Sequence, residues 1–339
     1  MKTKISIFGG LAVSAALLYF AFRNVEFEKL GEIYSRVNPL IIVPVFLVGM
    51  LEVGFRALRW KLLLDPAKPV RMWDAFRLEM AGLALNNVLP LRLGEIVRGT
   101  FGAGLFGIPV MTVFATILVE RALDTIVLFI LFLLAARFGG VSGGFLNYGG
   151  YFYPLLGGIL AGLLFLVFID EIISHHMLSG FFKRFPRLTS GLGHLALGVR
   201  AFHSFKTACA VVGLAVLQWI MDAVNFYLLA CAFGMGAVVD GFKAMILLFS
   251  VAVAASIPGV PGGFGAFEYS VKTVAMAWGV NSEVAVAYAT GLHLLTYIII
   301  TTVGLVFVYQ MGQSIGKVWA QFSGKEKEAG SGRQAGSDE

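Results

Sequence analysis

The stretch Asn86 to Gly99, N-N-V-L-P-L-R-L-G-E-I-V-R-G, sets two Asn, a Pro, two Arg, a Glu and two Gly into otherwise apolar sequence. Arg92 and Arg98 carry planar guanidinium forks that suit a carboxylate or a phosphate bidentately. Charged side chains at membrane depth are costly, and where they occur they face a cavity, a partner or a substrate. Farther along, Glu120, Arg121 and Asp124 fall within one helical turn, with Arg121 able to meet Asp124 at i+3. Arg92, Arg98 and Arg121 together suit a phosphate, with Asn86, Asn87, Glu95, Glu120 and Asp124 around them as the polar lining. The same carboxylates have a second use, as neutralising partners in a buried network that fixes the turn.

A second stretch, Ser256 to Glu268, reads S-I-P-G-V-P-G-G-F-G-A-F-E and repeats the ingredients. Pro90 and Gly94 in the first stretch, and Pro258, Pro261, Gly262, Gly263 and Gly265 in the second, break the helix. Broken backbone in a bilayer is tolerated only where it is buried in protein or lines water. Helix N-termini opened at Gly94 and Gly265 add N–H donors and a positive dipole end. Glu268, His293 and Asp222 are the polar candidates of this second half. The ligand these groups describe is an amphiphile, with an anionic head in the polar site and its tails in lipid.

The elements that must position these residues follow from composition. Hydrophobic residues make up 58% of the 339, charged residues only 14%, and the mean hydropathy is +0.84. That is a polytopic membrane protein, since soluble domains carry about 25% charged residues. Apolar runs of spanning length lie at about 5–22, 40–64, 110–136, 151–169, 207–233 and 284–309. The Asn86 region forms two shorter arms, Met80–Leu89 and Ile96–Phe106, which read as a re-entrant hairpin. A second hairpin covers about Phe242 to Trp278. The fold expected is therefore all-α: six spanning helices plus two re-entrant helical hairpins. Residues 1–312 form a single transmembrane domain, with halves at about 40–136 and 207–310 linked by a cytoplasmic surface segment, 170–206. Residues 313–339 form a Gly, Ser and charge-rich tail without core-forming residues, expected to be disordered.

Lys and Arg concentrate in the segments that alternate to one side, which puts both termini in the cytoplasm of an inner (plasma) membrane protein. Arg56 and Arg59, at the end of the second span, count toward that side if they snorkel to the interface. The first hairpin then opens from the cytoplasm and the second from outside, as in an inverted repeat. The polar marks support the repeat. Glu52, Arg56 and Arg59 fall at i, i+4 and i+7 of one span, and Gln218, Asp222 and Asn225 at the same spacing of another. Glu95 precedes Arg121 by 26 residues and Glu268 precedes His293 by 25.

No nucleophile elbow, zinc-protease helix, P-loop or nucleotide-binding domain occurs in the sequence. Cys209 and Cys231 lie too far apart in one helix to pair, and no metal-ligand spacing is present. No cofactor and no nucleic-acid partner is expected, and a homo-oligomer is left open. Three motifs resemble the transmembrane region of lysylphosphatidylglycerol synthases, a family of flippase-like membrane proteins. They are N-x-x-x-P-x-R-x-G-E-x-x-R from Asn86, E-R-x-x-D from Glu120, and P-G-x-P-G-G-x-G-x-x-E from Pro258 to Glu268. The resemblance implies a bundle with two re-entrant hairpins that moves a lipid between leaflets, either an anionic phospholipid or a polyprenyl-phosphate-linked substrate. Larger relatives carry a cytosolic aminoacyl-transfer domain; only a short tail follows here, so synthesis of an aminoacylated lipid is not expected. Two other readings stand beside the translocator: a membrane-embedded enzyme acting on lipid-linked phosphates or sugars, and an accessory partner of a separate lipid synthetase.

Overall fold

The computed structural model describes residues 2–23, 25–89, 93–139, 157–162, 193, 196–255 and 261–312, and no strand occurs among them. Ten helices organise these residues: α1 (Lys2–Phe22), α2 (Phe27–Arg36), α3 (Ile42–Leu64), α4 (Met72–Val88), α5 (Leu93–Phe106), α6 (Val110–Phe138), α7 (Phe205–Ala232), α8 (Gly241–Ala254), α9 (Ala266–Ala277) and α10 (Ser282–Gln310). Of the expected features, Pro90, Arg92 and Pro258 lie outside the described residues, as do most of the fourth span and of segment 170–206, and the tail from residue 313.

Three stretches, Pro39–Leu64, Phe205–Ala232 and Ser282–Gln310, are long and apolar enough to cross a membrane. With 29 residues α6 is as long, but it carries Glu120, Arg121 and Asp124. The helices α4, α5, α8 and α9 have 17, 14, 14 and 12 residues. At 1.5 Å per residue these measure roughly 25, 21, 21 and 18 Å, all short of the ~30 Å hydrocarbon core. The outer surface is apolar, with Leu47, Leu51, Leu118, Ile130, Leu134 and Ile298 exposed while Arg59, Glu79, Arg98 and Glu120 are buried. Such an inside-out distribution suits lipid as the surrounding solvent.

Local chemistry explains two departures from the expected boundaries. First, α4 begins at Met72 rather than Met80, because its first turns pack as aromatics. Trp73 stacks on Phe76, and both meet Phe307 of α10 edge-on at 5.5 and 6.0 Å. Asp74 and Arg77 pair across the same turn and remove its charge from consideration. Second, the polar link before the second span contains a helix, α2. Its Tyr34 hydroxyl donates to the Ala287 carbonyl at 3.0 Å and meets the Thr290 hydroxyl, tying α2 to α10.

The packing has an internal symmetry. Helix α3 lies along α7, α4 packs on α5 as α8 does on α9, and α5 packs on α6 as α9 does on α10. Most telling, α4 packs on α10 and α8 on α6. Exchanging α3–α6 with α7–α10 maps each of these pairs onto another. The two long helices of the seam run antiparallel, since Gly49 sits opposite Asn225 while Leu63 shares a cluster with Val211. One apolar core joins the halves through α6 and α8, where Phe132 and Phe249 stack at 4.0 Å. Helix α1 stands outside this scheme and packs on α9. The buried Lys272 ammonium of α9 donates to the carbonyls of Ala21 (2.6 Å) and Arg23 (3.4 Å), taking up acceptors that the end of α1 leaves free.

Close backbone approach sets where the short helices meet. A Cβ on Gly94 would run into the Gly82 carbonyl oxygen and come within 2.6 Å of Asn86 Oδ1, and one on Gly304 would run into the Met80 carbonyl and Ala84. Only glycine allows α5 to cross α4, and α10 to cross α4, at that distance.

Candidate functional site

Four helices, α3 to α6, converge on one charged cluster. Arg98 of α5 reaches between Glu79 of α4 and Glu120 of α6 and pairs with both carboxylates. Its guanidinium lies 4.5 Å above the ring of Trp60, whose indole N–H donates to Thr116 at 3.0 Å. Arg59 of α3 forks onto Asp124 through Nη1 at 2.6 Å and Nη2 at 3.3 Å, and its Nη2 lies 3.5 Å from Glu120. Arg56 pairs with Glu52 one turn away, at 3.2 Å. Arg59 is fully buried and does not snorkel. Arg56 and Arg59 therefore belong to this cluster and not to the loop cations that orient the chain.

Arg121 differs from its neighbours. It lies 3.3 Å from Asp124 and a loose 3.6 Å from Glu95, and its side chain is 37% exposed where those of Arg59 and Glu120 are 0%. Glu95, 31% exposed, shares the rim. Behind these two opens a cavity of about 30 Å³ lined by Arg56, Glu79, Gly82, Leu83, Asn86, Glu95, Arg98 and Arg121. That is room for about two waters, not for a lipid headgroup. Asn86 Oδ1 and the Nε atoms of Arg56 and Arg98 are buried there without a hydrogen-bond partner.

The sequence candidates thus separate into groups. Asn86, Glu95, Arg98 and Arg121 share the cavity, with Glu120 and Asp124 behind them as counter-charges. Asn87 does not line it: its amide donates to Thr301 of α10 at 3.0 Å, and its carbonyl accepts from Tyr297 at 3.3 Å. Asp222 sits on α7 within electrostatic reach of Glu52, Arg56 and Asp124, and no ion pair joins it to a described residue. On the same face, the side chains of Gln218 and Asn225 are buried, with both polar atoms of Gln218 and Asn225 Oδ1 unpartnered. Glu79 and Trp60 are members of this candidate site that spacing rules miss, because their partners come from other helices. A glutamate entering an apolar arm at Phe76–Gly82 was the available signal for Glu79.

Glu268 and His293 form a second, separate cluster. Glu268 Oε2 accepts from the Gly265 N–H at 2.6 Å, the arrangement by which a third-position Glu caps a helix. Its Oε1 lies 2.6 Å from His293 Nδ1, and His293 Nε2 lies 2.8 Å from the Gly262 carbonyl. Gly262, Gly263 and Gly265 have φ of 76°, 74° and 89°, which only glycine takes up readily. In the described residues no group of three His, Cys, Asp or Glu is arranged to hold a metal.

Comparison with known proteins gives one family. The model described as the lysylphosphatidylglycerol synthase TM region matches residues 7–304. A UPF0104 membrane protein of Methanothermobacter thermautotrophicus is 27% identical over 294 residues, which cover 79% of this chain and 82% of that one. A UPF0104 membrane protein of Methanocaldococcus jannaschii is 22% identical over 333 residues, 94% and 98% of the two chains. No solved structure matches the chain.

Proposed function

The chain belongs to the lysylphosphatidylglycerol synthase transmembrane-region family, and on that premise we propose that it moves an anionic amphiphile between membrane leaflets. The amphiphile is a phospholipid or a polyprenyl-phosphate-linked lipid, bound through its phosphate. The observation that carries this reading is Arg121, a half-exposed guanidinium at the mouth of a largely buried charge cluster, 3.3 Å from Asp124 on its inner side and a loose 3.6 Å from Glu95 at the rim. Glu95 then acts as a stand-in for the substrate phosphate. When the phosphate takes the fork of Arg121 bidentately, Glu95 is released and the narrow cavity opens toward Arg98. The exchange symmetry of the packing and the antiparallel α3–α7 seam support an inverted repeat, with α4–α5 and α8–α9 as re-entrant hairpins reached from opposite faces.

The test is reconstitution of the purified protein in vesicles with leaflet-labelled lipids. Wild type should carry the labelled lipid across without chemical change. Arg121→Ala removes a charged hydrogen-bonding group worth about 1.5–3 kcal/mol, so crossing should fall about ten- to hundredfold with the thermal midpoint in detergent unchanged. Arg121→Lys should recover part of the rate, since it keeps the charge and loses the planar fork. Crossing that is indifferent to Arg121 overturns the proposal. A chemically modified product would point to the enzyme reading, and neither crossing nor product to the accessory-partner reading.

The orientation we propose has both termini in the cytoplasm, on the distribution of Lys and Arg among the loops once Arg56 and Arg59 are removed from the count. In a background with Cys209→Ser and Cys231→Ser, Pro66→Cys should react with an impermeant thiol reagent only from the cytoplasmic face. Glu28→Cys should react only from outside. The reverse pattern would invert the orientation.

A further inference from the structure

The seam between α3 and α7 carries polar groups that the Arg98 cluster does not use. Gln218 and Asn225, on one face of α7, are 0% and 5% exposed. Neither polar atom of Gln218 has a hydrogen-bond partner, and neither does Asn225 Oδ1. Asp222 lies between them on that face, half-buried, and makes no hydrogen bond or ion pair with a described residue. A buried polar atom without a partner is costly. Two amide oxygens in that state beside an unpaired carboxylate describe a place that suits an acceptor of oxygen lone pairs.

What faces them follows from the antiparallel register. A Cβ on Gly49 of α3 would lie 3.8 Å from Asn225 Nδ2, so that amide points across the seam. Farther along, Leu63 and Val211 share a cluster. Each step forward on α3 is a step back on α7, which sets Glu52 level with Asp222 and Arg56 level with Gln218. The charged groups that act on Asp222 are Glu52, Arg56 and Asp124, in keeping with that register. Two carboxylates from opposite halves of the repeat thus share one guanidinium, and Glu52 holds it at 3.2 Å.

Charge decides the class of ligand. Arg56, Arg59, Arg98 and Arg121 are matched by Glu52, Asp124, Glu79 and Glu120 through the ion pairs of the cluster. Glu95 stands at the rim, 31% exposed, where water can solvate it. Asp222 is the carboxylate left without a matching cation among the described residues. One positive charge balances it, while two would leave an excess where unpaired charge is costly. The ligands on offer are carboxylate and amide oxygens, the donors that hard cations take. Beyond Asn225 the seam opens into a groove of about 490 Å³ lined in part by Pro44 of α3 and by Leu228 and Cys231 of α7. Its one charged residue, Arg36, lies 3.9 Å from Glu32.

We propose that the α3–α7 seam binds one small monovalent cation, of the class of sodium, through the carboxylates of Asp222 and Glu52 and the amide oxygens of Gln218 and Asn225. The ligands come from both halves, so the bound cation ties the repeat together at its seam, the place where transporters hold coupling ions. The site stands apart from the translocator reading; only a role of the cation in driving lipid across rests on it.

Thermal unfolding in detergent, with sodium chloride exchanged for choline chloride at constant ionic strength, tests the site without lipid transport. The wild-type midpoint should rise with sodium and keep climbing with its logarithm above the dissociation constant, because only the folded chain has the seam. Equilibrium binding of radioactive sodium should give one site per chain. Asp222→Asn should bind sodium about ten- to hundredfold more weakly, the loss of a charged ligand, and its midpoint should barely respond. Gln218→Leu exchanges two unpartnered polar atoms for an apolar side chain. It should fold as well as wild type in choline chloride, with sodium affinity about tenfold lower. Magnesium chloride should not replace sodium. A wild-type midpoint that is the same in both salts, as ordinary water in the seam would give, overturns the proposal. A full sodium response in Asp222→Asn, or a response to magnesium alone, overturns it too. In vesicles, a sodium gradient should accelerate lipid crossing by wild type and leave Asp222→Asn unaffected. Sodium binding in a protein that moves no lipid would refute only the translocator reading.

Discussion

Arg98→Ala should destabilise the protein by about 3–5 kcal/mol, the usual cost of removing one partner from a buried ion pair. The reason lies in what the alanine leaves behind. Glu79 and Glu120 are 2% and 0% exposed, they come from different helices, and both point at the vacated guanidinium. Trp60 loses the cation above its ring as well. A second change, Glu79→Gln, should restore part of the loss, because it removes the charge left without an ion-pair partner, whereas Glu120 keeps Arg59 at 3.5 Å. Thermal unfolding in detergent reads both effects. If the single variant melts like wild type, the cluster is not what joins α4, α5 and α6.

Gly94→Ala should be nearly as damaging, from a single methyl group. Its Cβ would meet the Gly82 carbonyl oxygen and lie 2.7 Å from the Asn86 backbone nitrogen, atoms that cannot rotate away. The helices α4 and α5 must part, at the typical cost of overpacking, about 1–3 kcal/mol or more. Asn86 moves with them, so the cavity changes shape and lipid crossing should fall too. Gly104 supplies the control, since it lies in the same helix with nothing within 4 Å of its would-be Cβ. Gly104→Ala should be neutral or gain about 0.5–1 kcal/mol of helix propensity. Equal melting of the two variants would refute the close-crossing argument.

What could be read in advance, and what could not, follows the range of the interactions. The helices α3, α6, α7 and α10 end within two residues of where hydropathy puts them, because bilayer thickness and apolar run length are one constraint. Arg121 with Asp124 and Arg56 with Glu52 were legible because i+3 and i+4 neighbours share a helix face. Glu79 was not, since nothing local distinguishes a carboxylate that pairs with Arg98 across a turn from one that faces solvent. The first turns of α4 looked like a link for the same reason. Asp74 and Arg77 are polar in sequence, and only Phe307, more than two hundred residues on, explains why Trp73 and Phe76 fold over it. Glu268 and His293 were marked by their order in the chain. That the histidine's other nitrogen meets a glycine carbonyl is a fact of the turn, which spacing does not encode.

The ion pairs of the main cluster all close between residues 52 and 124, within α3 to α6. The partner that covers α4 from the other side, α10, is the last of the described helices in chain order. During synthesis, then, the costly charges are neutralised early, four arginines against five carboxylates, before the second half has left the ribosome. Contact between α4 and α10 follows later. The chain meets its worst electrostatic barrier with local means and leaves the covering of α4, through aromatic packing and the Asn87 hydrogen bonds, to a helix made later.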